Sequence, residues 1–170
     1  MRLGARWAWL VALVLLCFPG VARAGGYFSE VQLGLATGLE GANTGTGIGW
    51  QRARTRLILG ADIGNPEDGP EAYGVRTFIE LERSLSVGLE LGYVRWFTPR
   101  LSLFFGAVGV LAPSTLFGGT AGANYVLLPL GERAGLAVFS SISALPLGED
   151  RPDNGVVVWG LLGIGLRGKL

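Results

Sequence analysis

From residue 25 onward the chain is organised by alternation. Apolar and polar positions exchange every second residue through segments of about 11–16 residues, the period of a strand and not of a helix. Seven prolines, at 66, 70, 99, 113, 129, 146 and 152, all fall between these segments. Proline cannot donate to a central β-ladder, so it marks where strands stop. The run Gly41-Ala42-Asn43-Thr44-Gly45 and the polar Glu82-Arg83-Ser84 make two further breaks. Together they predict eight strands, over 27–40, 50–64, 71–82, 85–97, 100–112, 115–128, 133–145 and 154–168. Globular strands average about five or six residues, whereas a tilted membrane crossing needs about 9–11. An even number of long strands in up-and-down order predicts a closed barrel.

Four segments show two chemically distinct faces. In the second, Leu57, Leu59, Ala61 and Ile63 oppose Arg52, Arg54, Arg56 and Asp62. In the third, Tyr73, Val75, Thr77, Ile79 and Leu81 oppose Arg76, Phe78, Glu80 and Glu82. The fourth sets Leu85, Val87, Leu89, Leu91 and Tyr93 against Ser86, Gly88, Glu90 and Gly92. The eighth sets Val156, Val158, Leu162, Ile164 and Leu166 against Gly163, Gly165 and Arg167. Segments five to seven are apolar or small on both faces and leave their orientation open.

A soluble barrel or sandwich alternates too, with its apolar face inward, so composition has to choose the direction. Soluble surfaces carry about a quarter or more charged residues; this chain has 16%, and Lys169 is its single lysine. The polar faces combine glycine, serine and Arg/Glu, which suits a narrow lumen. Aromatics gather near the segment ends, at Tyr27, Phe28, Trp50, Tyr73, Trp96, Phe97, Phe117 and Tyr125. Membrane barrels form aromatic girdles in this way. The apolar faces are therefore expected to point outward into lipid.

Residues 1–24 read as a helical secretory signal peptide. Arg2 and Arg6 precede an apolar stretch from Trp7 to Phe18, Pro19-Gly20 breaks it, and Ala22-Arg23-Ala24 gives the small-x-small cleavage pattern. The stretch is shorter than the ~20 residues of a spanning helix. Cleavage after Ala24 leaves a domain over 25–170 with no cysteine, so no disulfide staples it. Without Arg2, Arg6 and Arg23, 11 basic residues face 13 acidic ones, a balance that excludes the basic stripe of a nucleic-acid binder. The chain has no histidine and one cysteine, which removes the usual neutral-pH base and any Cys-rich zinc site.

In signal peptide, strand number, alternation and strand-terminated C-end, the chain resembles the small eight-stranded outer-membrane β-barrels of Gram-negative bacteria, in the OmpA and OmpX size range. The resemblance implies an all-β fold: an eight-stranded antiparallel up-and-down transmembrane barrel, with outer-membrane lipid and the barrel-assembly machinery as partners. The C-terminus departs from the class, which often ends in an aromatic residue; here it is Leu170. With both termini in the periplasm, the external loops near 41–49, 82–84, 112–114 and 146–153 are short.

An eight-stranded barrel is just wide enough inside for side chains to fill it. Arg52, Arg54, Arg56 and Arg76 on the predicted inner faces meet Asp62, Glu80, Glu82 and Glu90 on the same and adjacent strands, so cross-strand pairs are expected. Unpaired charge in a dry lumen costs several kcal/mol. These eight form the candidate charge network, read as a plug in preference to an ion path. Barrel enzymes resembling this chain rely on a histidine, and Ser140, Ser141 and Ser143 have none to activate them. Glu80 and Glu82 have acid–base spacing but read better as ion-pair partners. Gly45-Thr46-Gly47-Ile48-Gly49 has no following helix and predicts no nucleotide site. Glycines within the strands, such as Gly34, Gly88 and Gly163, suit close packing.

The expectation is thus a monomeric, non-catalytic outer-membrane barrel with a structural or envelope role, a charged and occluded lumen, and no cofactor. Two alternatives stay open. One is a barrel that binds or passes small apolar molecules, with strands five to seven lining a lateral opening. The other is a soluble periplasmic barrel whose apolar faces turn inward around a ligand.

Overall fold

Each of the eight segments is a strand in the computed structural model, which describes residues 28–43, 48–64, 69–81, 85–149 and 155–169. The strands are β1 (Phe28–Asn43), β2 (Ile48–Ile63), β3 (Glu71–Glu80), β4 (Ser86–Thr98), β5 (Leu101–Ala112), β6 (Leu116–Pro129), β7 (Ala134–Gly148) and β8 (Val157–Lys169). Each pairs antiparallel with its sequence neighbours, and β1 pairs with β8 to close the barrel. The proposed cleavage residues Ala22 and Ala24, the girdle residue Tyr27 and the network residue Glu82 lie outside the described residues.

Two of the expected breaks begin later than expected. Gly41, Ala42 and Asn43 continue the ladder opposite Trp50, Gly49 and Ile48, so β1 and β2 both run further than expected. Pro146 lies within β7, where Leu147 pairs with Phe117 but the next pairing is Ala144 with Gly119. That shift inserts an extra residue into β7, and a bulge is one of the few strand positions where proline is tolerated.

The barrel is apolar outside and polar or ring-filled inside. Leu33, Leu35, Leu91, Leu162, Ile164 and Leu166 are each about half exposed on the outer wall, while Glu30, Gln32, Arg56, Asp62 and Arg167 are buried. The faces read for β3, β4 and β8 follow this rule residue by residue. The strands of open orientation turn Ser102, Phe104, Val108 and Val110 of β5, Thr120 and Asn124 of β6, and Ala137, Phe139, Ser143 and Leu145 of β7 inward. Their ladders are continuous along β5–β6 and β6–β7 apart from bulges, so the described strands contain no lateral opening there.

Glycine matters where a ring lies flat against the inner wall. The Phe78 ring covers Gly88 on the neighbouring strand, and the Phe139 ring covers Gly163. A Cβ at either glycine would meet the ring at once. The pairs place large aromatics in a narrow barrel without pushing its strands apart.

Candidate functional site

Among the described residues three buried arginines organise the interior, and each is built the same way: carboxylate on one side, aromatic face on another. The register sets two of the pairs. Arg56 of β2 stands opposite Glu80 of β3, and its Nε and Nη2 donate to Glu80 Oε1 at 2.9 and 2.7 Å. Its guanidinium carbon lies 3.7 Å from the Trp159 ring centroid and 4.5 Å from that of Phe78. Arg76 of β3 stands opposite Glu90 of β4, with Nη1 3.9 Å from Oε2, and stacks over Phe104 at 3.9 Å.

The third is assembled by closure of the barrel. Arg167 of β8 donates through Nε to Glu30 of β1 and through Nη2 to Asp62 of β2 at 2.8 Å. Its Nη1 reaches Ser102 of β5 at 3.0 Å, and the guanidinium lies 3.8 Å from the Trp96 centroid. Beside it, Asn124 Nδ2 of β6 donates across the lumen to Gln32 Oε1 of β1 at 2.8 Å. The gap between Glu30, Gln32, Asp62, Arg76 and Arg167 is too tight for a water molecule. Arginine suits these positions because its flat, delocalised cation both stacks and donates in a fork.

Of the eight residues expected to form the network, Arg56, Arg76, Glu80 and Glu90 come together as two cross-strand pairs. Asp62 is inside as expected but takes Arg167 as partner. Arg52 is not inside. Between the pairs Ala36–Arg56 and Gly38–Ala53, β2 carries one residue more than β1. This bulge turns Ala53 inward and Arg52 outward, where its Nη2 donates to Thr55 Oγ1 at 3.1 Å. The side chain of Arg54 lies outside the described residues.

Trp96, expected in an exterior girdle, faces the lumen beneath Arg167. The strict alternation that buries Glu90 and Val94 carries it inward as well. Trp50, Tyr73, Phe97, Phe117 and Tyr125 do stand exposed on the outer wall. Glu30, Arg167, Trp159 and the Gln32–Asn124 pair were not singled out from the sequence, although Arg167 lay on a face read as polar. The three serines do not converge: Ser140 faces out, Ser141 is half-buried, and Ser143 donates to Thr120 Oγ1 at 2.9 Å.

The geometry has a counterpart among solved structures. The crystal structure of Ail, the attachment invasion locus protein of Yersinia pestis, aligns over 84% of this chain and 99% of its own, with TM-score 0.53 and 14% identity. The chain has the small eight-stranded outer-membrane β-barrel fold. Neisserial surface protein A (NspA) aligns over 83% of this chain and 96% of its own, with TM-score 0.48 and 15% identity. No protein-family model and no curated protein sequence matches the chain.

Proposed function

We propose that this protein is a non-catalytic integral barrel of the bacterial outer membrane, inserted as a monomer, with a structural role in the envelope and an interior closed to solutes. The observation that carries the reading is the inverted distribution of polarity. Large apolar side chains such as Leu39, Phe105, Ile142 and Leu162 stand more than half exposed around the wall, far beyond the apolar patches of a soluble monomer. A soluble ligand-binding barrel requires the opposite arrangement.

In a bilayer the exposed belt becomes the buried surface, and closure leaves no strand edge unpaired in lipid. Removal of residues 1–24 would release the barrel for delivery to the assembly machinery and insertion among outer-membrane lipids. The three arginine clusters favour a plug over an ion path, because they fill the lumen with paired charge. Short connections support a structural role over a broad adhesive one: the strands resume after 44–47 and after 113–115.

The test is expression with the native leader in a Gram-negative host, followed by fractionation and gel migration before and after boiling. An outer-membrane band that shifts on heating is expected; soluble protein with no shift overturns the reading. In planar bilayers the refolded barrel should show no steady conductance, and a stable open level would refute the plug.

A further inference from the structure

At the barrel end that carries both chain termini, a cavity of about 170 Å³ opens between the β4–β5 turn, the β6–β7 turn and the end of β8. Arg100, Arg133 and Lys169 line it, all exposed, and Arg167 and Glu30 form its floor. None of the three rim cations forms an ion pair with a described residue. Glu132 is the one carboxylate on this rim among the lining residues, and Glu30 is already committed to Arg167. Across the mouth the charges cancel instead, with Arg95 3.8 Å from Glu71.

The backbone holds the cations in place. Val126 N donates to Arg100 O at 2.9 Å, and Lys169 N donates to Arg133 O at 2.6 Å. Thr98 Oγ1 accepts from Arg100 N and Leu101 N at 3.2 and 3.0 Å, which braces the first turn. Gly131, with φ of +86°, and the Leu130 N to Ala134 O bond at 2.8 Å close the second. Long charged side chains thus project from a fixed frame around one hollow. Pro99, Val126 and Pro129 add an apolar lip.

We propose that this mouth binds a phosphate group carried on a small organic substituent, with Arg100, Arg133 and Lys169 as its ligands. Cations that line one cavity without an ion-pair partner among the described residues suit a compact, multiply accepting anion, and the lip suits the carbon atoms beside it. Either an anionic phospholipid headgroup or a soluble phosphate ester supplies that chemistry.

The test uses the full barrel refolded in detergent, with the heat-dependent gel shift confirming the fold of every variant. It is titrated with dihexanoyl phosphatidylglycerol, dihexanoyl phosphatidylcholine, glycerol 3-phosphate and inorganic phosphate. Saturable binding of phosphatidylglycerol but not phosphatidylcholine supports a lipid source, and saturable binding of the soluble phosphates supports a soluble one. In either case the double variant Arg100→Gln/Lys169→Gln should bind about tenfold or more weakly, Glu132→Gln should bind more tightly, and Arg95→Gln should match the native protein. The site is refuted if no probe saturates, if phosphatidylcholine binds as well as phosphatidylglycerol, or if the double variant binds like the native chain.

Discussion

Arg167 and Arg56 occupy the same barrel but are held differently. At the end with the chain termini, Arg167 meets two carboxylates, Ser102 and the Trp96 face, so each of its donor nitrogens has a partner. Toward the other end, Arg56 has one carboxylate and two aromatic faces, Phe78 and Trp159, which belong to an apolar cluster with Ile58, Val108, Leu116 and Leu161. Its Nη1 has no hydrogen-bond partner among the described residues. The first cluster is a polar joint linking β1, β2, β5 and β8. The second is an ion pair embedded in an apolar core. The same residue type therefore closes the barrel in one place and fills it in the other.

Mutation should separate the two, with stability read from urea unfolding of the folded barrel in vesicles. Arg167→Ala is expected to be the most damaging, at about 3–5 kcal/mol or more, because it removes a cation bonded to two buried carboxylates. Glu80→Ala strands one buried cation and should fall at about 3–5 kcal/mol. The sharper contrast comes from replacing whole pairs. Arg56→Met with Glu80→Leu should recover to within about 1 kcal/mol of native, since apolar replacement of a buried pair is often neutral or stabilising. Arg167→Met with Glu30→Leu should not recover, because Asp62 loses its bond from Arg167; equal recovery at both ends would erase the distinction.

Smaller effects follow with distance from the arginines. Gln32→Leu removes the acceptor of the cross-lumen bond from Asn124 and should cost about 1–3 kcal/mol. At the rim, Arg95→Gln should change stability by less than about 1 kcal/mol, since Arg95 and Glu71 are 53% and 54% exposed. A rim effect as large as that of Glu80→Ala would mean the mouth, and not the lumen, holds the barrel together.

Strand number and most strand limits were legible because proline and turn residues act locally. Faces were legible where apolar residues recur at every second position, as at Leu85, Val87, Leu89 and Leu91. The same rule fails at Arg52, where a single extra residue in β2 reverses the phase, and nothing in Arg52-Ala53-Arg54-Thr55 announces the bulge. Trp96 shows the opposite error: its place near a strand end pointed outward, while alternation pointed inward and prevailed.

The sequence alone determined the repeated, local features: eight strands in up-and-down order, the polar faces of the third, fourth and eighth, and the expectation that arginines and glutamates on adjacent strands pair. These depend on contacts between sequence neighbours and on a two-residue period. Tertiary structure alone decided the register in which β1 meets β8, and so brought Arg167 to Glu30 and Asp62. Closure joins the two ends of the chain, and its register depends on the curvature and shear of the whole sheet, which no local pattern encodes.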